Sequence, residues 1–339
     1  MEEDNLPYIS VIITAYNRKE FLLNAIKSAV NQTLDKKYYE IIVIKNYKDD
    51  TIDNYIQNNK IIGIITNTKS LGGKLVEALN IANGNVISFL EDDDLFSNNK
   101  LEIVYNKFKK NKDLTYYHNS MVPIDDKNKL LRKWYKQEDK EVTYNYKSRR
   151  KIIRRGIRYG SHNLSSMSIS KVIFLINARI ISNFTYAIDY GIVLLALNSG
   201  GVLLSDNHKL TLYRVHNSSI NTFNKNYNEF MKQRCLIHKE EYSFIEHLIS
   251  PLDIKNINVQ SFYNLMLYTL KIKAKLYCKS NISISLLKYL SLFPYRRNNR
   301  EYLINMSIFM LSSKKVKNLK KIILTYYINT HKGIENETG

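Results

Sequence analysis

The sequence predicts an α/β protein: an open, mostly parallel sheet with helices on both faces, followed by a helical C-terminal region. Three observations favour this fold class. Short apolar runs of strand type alternate with helical apolar spacing over the first ninety residues. These runs are almost continuously apolar, which is typical of strands covered on both faces. From about Asn226 onward the chain is rich in Lys, Tyr and Leu at helical spacing.

Length and composition set the outer limits. The 339 residues suffice for one large domain and an extension, which we place at residues 1–225 and 226–339. The net charge of +20 attracts polyanions, whether nucleic acid, an anionic membrane surface or a phosphorylated substrate. Cys235 and Cys278 lack a CxxC spacing, so we expect neither a disulfide nor a zinc site. The acidic start and the lack of an apolar run of about 18 residues lead us to expect a cytoplasmic protein.

The first strand is predicted at Ile9–Thr14, a β-branched run. Asn17 is a suitable N-cap for the next helix, because Glu20 follows at the spacing of a capping box. An apolar stripe over residues 21–30 then recurs at helical spacing. A strand therefore leads through a short turn into a helix.

The next elements repeat this alternation. A polar turn at residues 45–53 leads into a helix, and a second helix over Lys74–Asn83 should end with Gly84 as its C′ residue. Three further strands are predicted at residues 40–44, 61–65 and 86–90.

Four consecutive carboxylates, Glu91 to Asp94, follow the fourth strand. Such a run is repulsive unless a cation lies among the acids, and Mg²⁺ and Mn²⁺ prefer oxygen ligands. The alternative is a solvated turn, with Ser97 or Asn98 capping the next helix. Ligands of open parallel sheets bind beyond the carboxyl ends of the strands. Thr14–Tyr16, Asn46 and the acids all follow strands, so we expect them to converge.

The ordered set of these segments resembles the opening of a glycosyltransferase of family 2, with the GT-A (Rossmann-like) fold. The resemblance covers roughly the first hundred residues. It is carried by Ser10–Arg18, Ala29–Thr33, Glu40–Ile44 and Phe89–Asp94. It implies an inverting transferase that uses Mn²⁺ or Mg²⁺.

The resemblance also implies roles for individual residues. Thr14, Ala15 and Tyr16 would line the base and ribose, and Asp93 would bind the metal that bridges the diphosphate. Glu91 and Asp92 complete the DxD segment, with Glu91 as a further metal ligand. Donor binding would also involve Arg18, Asn46, Lys74, Asp92 and Arg214.

One segment departs from the family pattern. The family usually carries a Val-Asp-Asp-Gly-Ser type of turn after the second strand, whereas this chain has Lys45-Asn46-Tyr47-Lys48. Asn46 can still hydrogen-bond a base, with a donor as well as an acceptor. Asp49 or Asp50 is the alternative contact.

Asp189 begins an otherwise apolar helix. The resemblance aligns it with the general base of the family, while Ile188 replaces the preceding acid. The alternative is an N-terminal acid that is favoured by the helix dipole. Arg214 and His216 follow a predicted strand at 209–212 and resemble a segment that lies over the diphosphate. His216 would bind metal or phosphate, although a lone histidine is more often structural.

Two basic segments have alternative interpretations. The dense stretch at residues 147–158 is either a solvated face or a mobile loop that contacts a diphosphate or anionic lipid headgroups. The basic amphipathic helix predicted at residues 314–324 either packs on the domain or attaches to a membrane surface, which would be the inner face.

The sequence therefore predicts an enzyme that moves a sugar from a nucleoside-diphosphate-sugar donor to a hydroxyl of a glycan or lipid-linked acceptor. The alternative is an inactive GT-A-like protein that binds a polyanion, either nucleic acid or an anionic membrane. Retained Asp93, Asp189 and His216 favour the enzyme. No nucleic-acid partner is expected, because no zinc-finger spacing or RNP-like aromatic motif occurs.

Overall fold

The computed structural model describes residues 8–131, 141–144, 163–186, 188–215, 227–249, 257–278 and 285–291. These residues divide into two units, one that ends at Val215 and one that begins at Tyr227.

The first unit alternates strands and helices, as predicted. Its strands are β1 (Ile9–Thr14), β2 (Tyr39–Lys45), β3 (Ile62–Ile65), β4 (Val86–Glu91), β5 (Leu95–Phe96), β6 (Leu114–Ile124), β7 (Val142–Tyr144), β8 (Met167–Ser170) and β9 (Val202–Arg214). Its α-helices are α1 (Leu22–Val30), α2 (Asp50–Asn58), α3 (Leu71–Ile81), α4 (Lys100–Lys110), α5 (Lys171–Ile176), α6 (Ala178–Ile181) and α7 (Ile188–Asn198).

The described strands form one mixed sheet in the order β3-β2-β1-β4-β8-β6-β9-β5, with β7 paired to β9. The pairs among β3, β2, β1 and β4 are parallel. β8 lies antiparallel between β4 and β6, whereas β6 and β9 are parallel. The predicted α/β class and the four parallel strands at the start are confirmed.

Burial explains why these segments form strands and helices. Every residue of β1 is buried, which fits its mostly apolar sequence. Helix α1 buries Leu22, Ala25, Ile26 and Ala29 on a single face and exposes polar residues on the other. Each fully buried Leu or Ile contributes on the order of 1.5–3 kcal/mol. This apolar layer fixes the strands whose ends carry the site.

The predicted capping box at Asn17 and Glu20 is wrong. Helix α1 begins at Leu22, with Phe21 in the cap position. Asn17 instead adopts a left-handed conformation, with φ of 55°, in the turn that precedes the helix. Asparagine tolerates this conformation better than most residues. The Asn17 side chain accepts a hydrogen bond from the side-chain amide of Asn46.

Gly84 is not the left-handed C′ residue that the sequence predicts. Helix α3 already ends at Ile81, and Gly84 has no positive φ. A Cβ atom at Gly84 would lie 2.5 Å from the Ser10 nitrogen and 2.7 Å from the Tyr8 carbonyl oxygen. The glycine is therefore needed for close approach to the β1 backbone.

The second unit contains α8 (Tyr227–Ile249), α9 (Ile257–Tyr277) and α10 (Leu286–Ser291). A disulfide joins Cys235 in α8 to Cys278 at the end of α9. The expectation that the cysteines are unpaired is therefore wrong, because α8 and α9 pack together and bring distant positions into reach. None of the described helices is long and apolar enough to cross a bilayer.

Candidate functional site

Parallel pairing brings the predicted site segments to one edge of the sheet. Thr14 is level with Ile44 on one side and with Glu91 on the other. The segments after β1, β2 and β4 therefore leave the sheet side by side. The strand ends therefore lie next to one another, as the sequence predicts.

The four acids form a tight turn at the end of β4. The Asp94 N–H donates to the Glu91 carbonyl (3.3 Å), and the Glu91 N–H donates to Ser165 Oγ (3.0 Å). Asp92 and Asp94 are buried, whereas Asp93 and Glu91 are partly exposed. Asp93 and Glu91 are therefore more accessible to a bound ligand than Asp92 and Asp94 are.

Asp94 anchors the turn. Its Oδ1 accepts from the Arg214 N–H (2.9 Å), and its Oδ2 accepts from the side-chain amide of Asn163 (2.8 Å). Burial and the neighbouring Asp93 charge raise the pKa of Asp94 to about 7. Because both oxygens hold protein groups, Asp94 fixes the shape of the turn.

Arg18 is one of the cations that contact this turn. Its guanidinium pairs with Asp92, and its Nη2 lies 2.8 Å from an Asp93 carboxylate oxygen. Burial lowers the pKa of Arg18, but the hydrogen bond to Asp92 and the charges of the acids outweigh burial and raise it overall. The Arg18 carbonyl also accepts from the Tyr47 hydroxyl (2.6 Å), which fixes the arginine to the β2 end.

The acidic turn could bind a divalent cation through one carboxylate, with most of the coordination shell supplied by a bound phosphate ligand and water. Among the described residues no cluster of three or more His, Cys, Asp or Glu side chains is arranged to bind a metal. Mg²⁺, however, often uses one or two carboxylates and completes its shell with phosphate oxygens and water. Asp93 is partly exposed and offers such a carboxylate. Predicted ligand His216 lies outside the described residues, as do the basic segments at 147–158 and 314–324.

Tyr16 and Lys74 form a second part of the site. Lys74 is buried in the first turns of α3, and its Nζ lies 4.3 Å from the centroid of the Tyr16 ring. Burial lowers the pKa of Lys74, which the Asp92 charge opposes. The Tyr16 ring is 44% exposed, so it still presents apolar surface to a ligand.

Close packing holds α3 in place. A Cβ atom at Gly72 would lie 1.8 Å from the Ile181 carbonyl oxygen, so only glycine fits there. The Gly72 N–H donates to the Phe184 carbonyl (2.8 Å). The start of α3, and Lys74 with it, is therefore attached to the segment that leads into α7.

Asn46 is engaged by Asn17. The Asn46 amide donates to Asn17 Oδ1 (2.6 Å), and Asn46 Oδ1 accepts from the Asn17 N–H (2.8 Å). Asp49, the alternative base contact, accepts from the Ile52 N–H (3.1 Å) as the N-cap of α2. Contact of either residue with a base stays a prediction.

Asp189 lies in the first turn of α7, and its Oδ1 accepts from the Tyr190 N–H (2.7 Å). The pKa of Glu91 is raised first by burial, then by Asp93, Asp94 and Asp189. The Asp189 charge also contributes to the raised pKa of buried Tyr116. The Asp189 carboxylate is therefore close enough to the acidic turn to repel it, although its role as a base stays a prediction.

Sequence reasoning missed Lys100. It is fully buried, its Nζ donates to the Ser165 carbonyl and to Thr211 Oγ1 (3.1 Å), and burial lowers its pKa well below the usual value. The Asp94 charge partly opposes this effect. A signal was present, because Lys100 precedes buried Val104 and Phe108 at helical spacing on the apolar face of α4.

Arg214 was predicted to bind phosphate, but the contacts that the structure describes are with the protein. Its guanidinium donates to the carbonyls of Asp93 (2.7 Å) and Asp125 (2.7 Å) and to Asn128 Oδ1 (2.6 Å). The side chain is buried over the Phe21 ring. Arg214 thus ties the acidic turn to the turn after β6, and contact with phosphate stays a prediction.

The comparison with protein families agrees with this geometry. Residues 10–173 match the model described as glycosyl transferase family 2. This part of the chain belongs to glycosyl transferase family 2. The match includes β1, the acidic turn and β8, and it ends before Asp189.

Relatives in this family extend the comparison. The chain is 31% identical to an uncharacterized glycosyltransferase of Methanocaldococcus jannaschii over 139 residues, which is 39% of this chain and 48% of that protein. The chain thus spans about half the length of this relative, and about a fifth of two Rickettsia relatives of similar identity. It is 27% identical to the Escherichia coli UDP-Glc:alpha-D-GlcNAc-diphosphoundecaprenol beta-1,3-glucosyltransferase WfaP, over 73% of this chain and 98% of that protein.

Solved structures show the same fold. Residues 1–349 of Staphylococcus aureus TarS, in complex with UDP-GlcNAc, superpose with a TM-score of 0.59 at 15% identity. The match covers 95% of this chain and 92% of that one. The family 2 domain therefore has the GT-A fold that the sequence predicts.

Proposed function

We propose that the protein transfers a sugar from a nucleoside-diphosphate-sugar to a hydroxyl acceptor with inversion at the anomeric carbon. The strand register supports the proposal, because it brings the ends of β1, β2 and β4, with the acidic turn, to one edge of the sheet. The charge of Asp189, at the start of α7, also contributes to the raised pKa of Glu91 in that turn. A transferase of this kind needs a cationic centre for the diphosphate and a base for the acceptor; the acidic turn would hold the cation, and Asp189 would be the base.

The donor would lie along the ends of β1, β2 and β4. The exposed Tyr16 ring, backed by Lys74, offers a flat surface for the base, with Thr14 and Ala15 next to it. Arg18 and Asp92 line the diphosphate side. When bound at Asp93, a Mn²⁺ or Mg²⁺ ion would stabilise the negative charge of the departing diphosphate.

Asp189 would act as the general base. An acceptor hydroxyl is too weak an acid to attack the anomeric carbon unaided, and a carboxylate within about 2.6–3.2 Å of it can take its proton as the bond forms. Attack from the face opposite the diphosphate inverts the anomeric centre. The partly exposed position of Asp189 supports access by an acceptor.

The relatives suggest which substrates to test first. The TarS structure contains UDP-GlcNAc, and the name of the E. coli relative specifies UDP-glucose and a diphosphoundecaprenol-linked sugar. We therefore propose a UDP-sugar as donor and a glycan or lipid-linked sugar as acceptor.

The proposal is tested with a panel of nucleotide sugars in the presence and absence of Mn²⁺. We expect one donor to raise the melting temperature and to be hydrolysed slowly without acceptor, because a ligand that binds the native state stabilises it. A D93N variant should lose the Mn²⁺-dependent part of that shift, whereas D35N, an exposed acid away from the turn, should keep it.

The outcome that contradicts the proposal is equally specific. If no donor binds or turns over while the protein binds nucleic acid or anionic vesicles in a salt-sensitive manner, the chain is a polyanion-binding GT-A-like protein without transferase activity.

A further inference from the structure

Helix α5 exposes an apolar face. Val172, Leu175 and Ile176 are 61%, 41% and 77% exposed, while the intervening Ile173 and Phe174 are buried in the first unit. The exposed residues are three and four positions apart, so they lie on one side of the helix. Folding therefore buries one apolar face of this short helix and leaves the opposite apolar face in contact with solvent.

Such a face is uncommon in a soluble protein. Isolated exposed apolar residues are ordinary, but adjacent ones on a single face mark sites of interaction with proteins or membranes. The exposed surface continues toward α3, because Lys171 at the start of α5 donates to the Ala82 carbonyl, next to Ile81, which is also partly exposed.

The charged side chains of the segment that carries this face have one sign. Residues 171–186 contain no Asp or Glu, and they contain the cations Lys171 and Arg179. Arg179 is exposed in α6, and Tyr186 is partly exposed at the end of the segment. An apolar centre with basic residues and an aromatic ring beside it is the composition of segments that lie in the headgroup region of a bilayer.

We propose that the outer face of α5, with Arg179, docks on an anionic lipid surface. Charge complementarity favours lipid over a second copy of the chain. A symmetric contact between two copies would bring two basic segments together in a protein whose net charge is +20, whereas anionic headgroups neutralise them.

If the proposed function holds, the position of α5 would bring the lipid surface close to the acceptor. The segment 181–184 that follows α6 contacts the start of α3 and leads into α7, where Asp189 lies. Docking through α5 would therefore place the lipid surface near the acceptor side of the site, as a lipid-linked acceptor requires.

The test measures binding of the full chain to vesicles. Phosphatidylcholine vesicles with and without about a third phosphatidylglycerol are compared by flotation at moderate ionic strength. We expect wild type to bind the anionic vesicles, the triple variant V172S/L175S/I176S to bind at least tenfold more weakly, and R179Q to bind several-fold more weakly. L130S, which removes a comparably exposed apolar side chain elsewhere in the same unit, should bind as wild type does.

Controls separate this proposal from folding and from catalysis. The single variant I176D, at the most exposed position, provides the same test if the triple variant does not fold. Melting temperature and its shift with the donor, both measured without lipid, should equal those of wild type, so loss of vesicle binding with an intact donor response assigns the effect to docking.

Three outcomes overturn the proposal. Folded variants that bind anionic vesicles as tightly as wild type would show that another basic surface does the binding. Failure of wild type to bind the vesicles would exclude lipid docking. A wild-type dimer in solution that dissociates on V172S/L175S/I176S substitution would show that the face contacts a second copy.

Discussion

At the scale of single residues, the acidic turn depends on cations that approach it from different sides. Arg18 pairs with Asp92 and Asp93 at the open side, while Lys100 lies buried on the inner side, where the charge of Asp94 acts on it. A run of four acids therefore need not be a solvated turn. It is held by protein groups before any ligand binds.

Replacing Arg18 tests this arrangement. In R18Q the buried Asp92 loses its charged partner, and we expect the free energy of unfolding at pH 7.5 to fall by about 1–3 kcal/mol. Millimolar Mg²⁺ should restore part of the loss, because it supplies the missing positive charge. Urea unfolding with and without Mg²⁺ measures both effects.

The matched control is R179Q, which removes an exposed arginine from the same unit and should change stability by less than about 0.5 kcal/mol. Equal stabilities of R18Q and R179Q would mean that the turn does not need Arg18.

The contacts that the sequence did not predict share a physical cause. Arg214 meets the turn after β6, whose residues lie more than 80 positions away in the chain. Only the parallel pairing of β6 with β9 brings them together, and no local pattern reports that pairing. The same holds for Asn17, whose partner Asn46 lies at the end of a neighbouring strand.

At the scale of elements, the α8–α9 pair shows how tertiary packing decides cysteine chemistry. Cys235 and Cys278 are 43 residues apart, and the antiparallel packing that joins them also brings Lys271 of α9 to Glu246 of α8. Cysteine spacing alone predicts unpaired thiols, because it contains no information about which helices meet.

Removing the disulfide should destabilise this unit. The bond restricts the unfolded chain over a long loop, so the double variant C235S/C278S should lose about 2–4 kcal/mol of unfolding free energy under oxidising conditions. Urea unfolding followed by helical circular dichroism measures the loss. A thiol assay on unreduced wild type should detect no free cysteine, and detection of both thiols would show that the bond does not form.

His238 gives α8 a pH dependence. Burial lowers the pKa of His238, and the charges of Lys273 and Arg234 lower it further, against the hydrogen bond to Glu241. In the unfolded chain the pKa is near 6.5. Below about pH 6.5 the unfolded chain therefore binds a proton that the folded chain does not, and stability falls as the pH falls.

We expect wild type to lose more stability between pH 7.5 and pH 5.5 than H238Q does. Unfolding followed by circular dichroism at both pH values gives the two slopes. Identical slopes would show that His238 is protonated equally well in the folded state.

At the scale of the whole molecule, the sequence predicts the strands that are formed by nearly continuous apolar runs. β1, β2, β3 and β4 are such runs, and their parallel order determines which ends become neighbours. The position of β8 between β4 and β6 could not be predicted in this way, because antiparallel insertion of a short strand leaves no periodic signal. The resemblance to family 2 supplied the residue roles that pattern alone leaves open.

The convergence of Asp189 with the acids of β4 is the property of the whole fold on which the proposed function depends. About a hundred residues separate them in the chain, yet the charge of Asp189 contributes to the raised pKa of Glu91. An isosteric D189N substitution would remove the proposed proton acceptor and should leave the donor side of the site unchanged.

The most direct measurement compares donor binding and transfer rate in wild type and D189N, with D35N as the control. We predict an unchanged donor dissociation constant and a kcat that falls by about 10²–10⁴-fold, the range expected for loss of a general base. A D189N enzyme whose kcat stays within a few-fold of the wild-type value would contradict the account.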